Sequence, residues 1–134
     1  CTQSNSTING KLPPLNPVLA PQGVIGINLL LNNSIFEISV DVIDLNTLQP
    51  LDSETIYTSV KKTGKAIIVQ EDSLFGGIAS DISALIMEAC FESLDAPVKR
   101  VASMETPIPF IKQLEEQYLS KNSFEIELKS LLAY

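Results

Sequence analysis

A chain of 134 residues, 45% hydrophobic and 19% charged, has the size and composition of one small globular domain with a single core rather than of a disordered tail. Sixteen Asp and Glu against nine Lys and Arg give a net charge of −7, and no run of Lys or Arg is longer than the pair Lys61-Lys62, which argues against a phosphate backbone, and so nucleic acid, as partner. The longest apolar run, Val24 to Leu31, is broken by Gly26 and Asn28 and falls far short of the roughly 20 residues that cross a bilayer, so no membrane partner is expected.

Residues 1 to about 23 are polar and carry Pro13, Pro14, Pro17 and Pro21, which remove backbone donors and oppose both helix and central strand, so this stretch reads as a linker or tail. An apolar stretch from Ile25 to Phe36 leads through Asn32-Asn33-Ser34 into Ile38 to Leu45, where β-branched residues predict a strand. The next segment has full end signals: Asp52 as N-cap, Leu51 and Ile56 placed for a hydrophobic staple, Glu54 in the first turn, Lys61 and Lys62 in the last, and Gly64 just beyond. A helix over about 53–62 follows. Ala66-Ile67-Ile68-Val69 is apolar on both alternating faces and predicts a strand covered on both sides.

After Gly76-Gly77 a long helix is expected to about Ser93. On a helical wheel Asp81, Glu88 and Glu92 share one narrow strip, while Ile78, Ile82, Leu85, Ile86, Ala89 and Phe91 spread around the rest, more apolar coverage than the surface helix of a small monomer needs. Val98 to Ala102 predicts a further strand, Pro107 and Pro109 an extended loop, and Asn122 with Glu125 a capping arrangement for a last helix ending near Tyr134. Alternating strand and helix imply parallel pairing through right-handed crossovers and an α/β layered domain.

The chain has no histidine, which removes Ser-His-Asp triads, Cys-His pairs and His-based metal sites. Of its two cysteines, Cys1 stands in a polar start and Cys90 in an apolar helical segment, so a disulfide framework is not supported and a reducing, cytoplasmic setting is expected. Cys90 reads as a core thiol. Gly76-Gly77 between strand and helix has the position of a phosphate-cradling loop but lacks both the G-x-G-x-x-G spacing and a P-loop Lys, so the favoured reading is a tight turn. Asp44, Glu71 and Asp72 end strands and could gather at the carboxyl edge of the sheet as a cation or acid/base site, yet their spacing matches no metal loop and solvated or capping carboxylates account for them better. The strip Asp81, Glu88, Glu92, extended by Asp95, is either the solvent face of the helix or a receiver for Lys and Arg of a partner, and composition alone favours the first.

Several motifs in order carry a resemblance: Val42-Ile43-Asp44-Leu45-Asn46-Thr47-Leu48-Gln49-Pro50-Leu51-Asp52, Ser59-Val60-Lys61-Lys62-Thr63-Gly64, Gly76-Gly77-Ile78-Ala79-Ser80-Asp81-Ile82, Leu94-Asp95-Ala96-Pro97-Val98-Lys99-Arg100-Val101, and Thr106-Pro107-Ile108-Pro109-Phe110. From about Asn32 to Tyr134 the chain resembles the C-terminal domain of the β part of thiamine-diphosphate-dependent 2-oxoacid dehydrogenase E1 components, of pyruvate or branched-chain type. The resemblance implies a transketolase C-terminal-like α/β domain over 28–134, with a mainly parallel sheet, one antiparallel strand and helices on both faces. Residues 1–27 form a Pro-rich segment matching nothing in that family, so the sheet is expected to lack its first strand.

In the family, thiamine diphosphate and Mg lie between other domains, whose G-D-G motif and pyrimidine-contacting glutamate have no counterpart here. The resemblance therefore assigns this chain no catalytic, cofactor or metal residue, and the isolated chain is expected to be inactive. What it implies is assembly with E1 α and β subunits or domains, homo-oligomerisation, and docking of the subunit-binding domain of the E2 acyltransferase. The docking residues would be Asp95 and Tyr134, with Glu92 on the same acidic edge. A stand-alone non-catalytic interaction module, or a fragment of another transketolase-like thiamine enzyme, are the alternatives; the Leu94 to Val101 run and the Thr106 to Phe110 loop favour the dehydrogenase branch.

Overall fold

Strands apolar on both faces, alternating with helices that carry one apolar stripe, can be satisfied only by a sheet with helices on each side. The computed structural model, which describes residues 2–9, 22–32 and 35–134, has that arrangement. The elements in chain order are β1 (Thr2–Asn9), β2 (Gln22–Asn32), β3 (Ile35–Asp44), α1 (Ser53–Thr63), β4 (Ala66–Ser73), α2 (Ile78–Cys90), a 3-10 turn (Phe91–Ser93), β5 (Lys99–Ser103), α3 (Lys112–Tyr118) and α4 (Lys121–Leu132). The sheet order is β1-β3-β2-β4-β5.

The α/β class holds, with helices on both faces. Pairing is more antiparallel than strand-helix alternation implied: β4 and β5 are parallel, while β1–β3, β2–β3 and β2–β4 are antiparallel. The cause is the two-residue connection between β2 and β3, which permits only a hairpin, since parallel neighbours need a crossover of a dozen or more residues. Because β2 lies between β3 and β4 and opposes both, β3, β4 and β5 run the same way and their carboxyl ends share one edge.

The reading of residues 1–23 as linker or tail is corrected for the described part. Thr2–Asn9 pairs with β3 from Glu37 to Asp44, and Gln22 and Gly23 belong to β2. Thr2 to Asn9 has Ile8 as its one apolar residue and no two-residue periodicity, so nothing in it announces a strand; the partner edge imposes one. The four prolines lie outside the described residues.

Two cores flank the sheet. Ala66 and Ile68 of β4 face one side, with Ile43 and Leu45, Ile56 and Val60 of α1, and Ala79, Ile82, Ile86 and Cys90 of α2. Ile67 faces the other, with Val101 of β5, Ala96, and Phe124, Leu128 and Leu131 of α4. The two-sided apolar reading of β4 is thus realised residue by residue. In α1 the Asp52 carboxylate accepts from the Thr55 amide at 3.2 Å, and Gly64, at φ 71°, closes the helix by donating to the Val60 carbonyl at 2.8 Å. In α4 the helix starts from Ser120 with no side-chain cap; Asn122 stands inside it, and Glu125 pairs with Lys129 one turn on, which corrects the expected capping arrangement. No helix among the described residues is long and apolar enough to cross a membrane.

Candidate functional site

Both edges of the sheet hold residues singled out in the sequence. At the carboxyl edge, Gln70, buried at the end of the apolar run of β4, donates through Nε2 to the Ser73 carbonyl and accepts through Oε1 from the Ala79 amide at 2.7 Å. One side chain thus joins the end of β4 to the first turn of α2. Gly77 is required there, because a Cβ on it would overlap the Gln70 amide, and Gly76 sits at φ 76°. Gly76-Gly77 is the tight strand-to-helix turn that the sequence favoured, and its helix-starting amide is bound by Gln70.

Beside this turn is an open cavity of about 470 Å³ lined by Asp72, Ser73, Phe75, Met104, Glu105, Thr106, Pro107, Ile108 and Tyr118. Its charged residues are the carboxylates Asp72 and Glu105, so it presents the wrong sign to a diphosphate and does not fit thiamine diphosphate. Asp44, at the end of β3, is separated from Glu71 and Asp72 of β4 by the intervening β2, and Asp72 accepts from the Ser73 amide at 2.7 Å instead of joining a cluster. Among the described residues no group of three or more His, Cys, Asp or Glu could hold a metal. Cys90 is buried, its thiol 3.9 Å from the Tyr57 carbonyl, and burial pushes its pKa up, away from the thiolate a nucleophile needs.

The amino edge of β4 and β5 carries Asp95, one of the expected docking residues. Asp95 follows the 3-10 turn, is exposed, and donates its amide to the Gly64 carbonyl at 2.7 Å, which fixes it against the C-terminal end of α1. Glu92 is exposed within the 3-10 turn, and Asp81 and Glu88 are exposed along α2, so the acidic strip does face solvent. Next to Asp95, Ala96 turns inward and packs in one cluster with Leu131 of α4. Lys99 at the start of β5 meets Glu127 of α4 at 3.0 Å. Tyr134, beyond the end of α4, is 65% exposed.

Among the described residues no Lys or Arg comes within ion-pair distance of Asp95; the three ion pairs there are Lys62–Asp41, Lys99–Glu127 and Lys129–Glu125. The C-terminal carbonyls of α1 carry partial negative charge, so Asp95 stands where a cation, not a carboxylate, would be locally favoured. Sequence reading missed Gly64 as the neighbour of Asp95, although its place as the residue closing α1 was visible. It also missed Gln70, whose only sign was a polar residue ending an apolar strand.

Residues 27–123 match the family described as "Transketolase, C-terminal domain". The chain belongs to the transketolase C-terminal domain family. Within it, this domain is similar to the β subunit of E1-type enzymes. It is 39% identical over 107 residues to "Pyruvate dehydrogenase E1 component subunit beta" of Rickettsia felis, covering 80% of this chain and 32% of that one. It is 45% identical over 82 residues to "Acetoin:2,6-dichlorophenolindophenol oxidoreductase subunit beta" of Bacillus subtilis, covering 61% of this chain and 24% of that one. It is 51% identical over 74 residues to "2-oxoisovalerate dehydrogenase subunit beta, mitochondrial" of Dictyostelium discoideum, covering 55% of this chain and 20% of that one. The transketolase C-terminal domain seen here thus spans about a third or less of the length of these relatives.

Proposed function

We propose that this chain is the C-terminal assembly and E2-docking part of the β portion of a 2-oxoacid dehydrogenase E1 component, not catalytic by itself. The parent reaction is thiamine-dependent oxidative decarboxylation of a 2-oxoacid with acyl transfer to the lipoyl group of E2; thiamine diphosphate and Mg belong to the parent enzyme in a cytoplasmic multienzyme complex. The reading is carried by Asp95: an exposed carboxylate, without a cation in ion-pair range among the described residues, held at the negative end of α1. Asp95, Glu92 and Tyr134 would meet Lys and Arg of the E2 subunit-binding domain. Leu85, Met87 and Phe91, left exposed on and after α2, would be covered by E1 α or by a second β copy.

The test is sedimentation of the full chain with an isolated E2 subunit-binding domain at low salt. Asp95→Asn is expected to weaken the complex by about tenfold. Unchanged sedimentation of the variant would remove Asp95 from the docking surface.

A further inference from the structure

We infer that Gly64 is a positioning residue for docking, acting through Asp95, an inference that rests on the proposed docking role of this edge. Gly64 has two properties at once. Its φ of 71° is the left-handed conformation that ends α1, and its bare Cα face is the surface on which the Asp95 carboxylate lies: a Cβ built on Gly64 would overlap Asp95 Oδ2 and stand 3.0 Å from Asp95 Cγ. The Asp95 amide is bound to the Gly64 carbonyl at 2.7 Å, so backbone and side chain of Asp95 are both referred to the same glycine.

The side chain is pressed onto a buried residue while remaining exposed itself, which restricts the rotamers open to a short carboxylate before any partner arrives. No other contact to the Asp95 carboxylate is made by a hydrogen-bond donor among the described residues, so removing the bare face at Gly64 removes what defines its direction. Substitution at Gly64 therefore acts on binding even though residue 64 is buried and touches no partner.

Gly64→Asn is the informative variant, because Asn enters the left-handed region more readily than Ala and keeps α1 closed while still placing a Cβ against Asp95. Two readouts on the full chain test the inference. Hydrogen exchange of the Asp95 amide, measured by NMR, is expected to accelerate by about tenfold in Gly64→Asn as Asp95 is displaced; unchanged protection overturns the positioning role. Titration with an isolated E2 subunit-binding domain at low salt is expected to show about fivefold weaker binding for Gly64→Asn, and no further loss when it is added to Asp95→Asn. Equal losses in both backgrounds, or no loss where Asp95→Asn alone does weaken binding, overturn the link to docking. Failure of the unaltered chain to bind overturns the docking reading itself, and the amide readout then still decides whether Gly64 holds Asp95.

Discussion

Asp41, 1% exposed on β3, and Lys62 of α1 meet at 3.2 Å, and Ser59 donates to the same Asp41 Oδ2 at 3.2 Å. Asp41 shares its strand face with Ile43, so this contact pins α1 to the sheet from within the apolar layer. The same seam needs Gly26: a Cβ there would come within 2.7 Å of Ser59 Oγ and 2.8 Å of Thr63 Oγ1. Asp41→Ala is expected to cost about 1–3 kcal/mol, since the Ser59 hydroxyl is left buried without its acceptor. Urea unfolding checks it, and a change below about 0.5 kcal/mol would mean that the hydroxyl finds another acceptor.

Gln70 and Gly77 form a second seam. Gly77→Ala places a methyl group into the Gln70 amide and is expected to destabilise by about 1–3 kcal/mol. In a Gln70→Ala background the clash is gone, so the penalty of Gly77→Ala should shrink. Additive effects in a thermal double-mutant cycle would contradict the contact.

Asp52 gives a pH dependence. The Thr55 hydroxyl, then the Thr55 amide, hold its pKa below the ordinary 3.8. A depressed folded-state pKa contributes stability that is full above the unfolded value and is lost as pH falls through the folded one. Asp52→Ala should therefore be less stable than the parent at pH 7, and the gap should narrow as the pH drops below 3.8. Melting temperatures of both proteins across that range decide; a gap independent of pH would remove the carboxylate from the cap.

Phe75 and Ile108 stand exposed at the cavity of the carboxyl edge, and Phe110, two residues on from Ile108, is fully exposed. Phe75→Ser together with Phe110→Ser is expected to lower self-association in light scattering while changing stability by less than about 0.5 kcal/mol. Loss of folding would instead make these rings part of the core.

What the sequence disclosed follows from where the information is local. The caps of α1 are written within a few residues of each end and the two-sided apolar character of β4 within four residues, whereas the buried stripe Ala79, Ile82, Ile86, Cys90 of α2 was hidden among apolar residues such as Leu85, Ala89 and Phe91 that the structure leaves exposed. β1 was illegible because it is ordered by the edge of β3, a partner distant in sequence, from Asn9 opposite Glu37 to Thr2 opposite Asp44. The direction of β2 was missed because alternation of strand and helix outweighed the short Asn33-Ser34 connection. α3 was missed behind Pro107 and Pro109, which correctly forbid a helix at 107–109 but say nothing of Lys112 onward. Of the docking edge, the acidic side chains were legible and their exposure is seen, whereas the closeness of Gly64 to Asp95 depends on a crossover that only the fold supplies.

The measurement that bears most directly on the docking reading is calorimetric titration of the full chain with an isolated E2 subunit-binding domain at low and at high salt. Exposed charge pairs are screened over about 10 Å at 0.1 M salt, so binding is expected at low salt and should weaken by about tenfold or more at high salt. Absence of binding at low salt, or binding indifferent to salt, would contradict the docking reading.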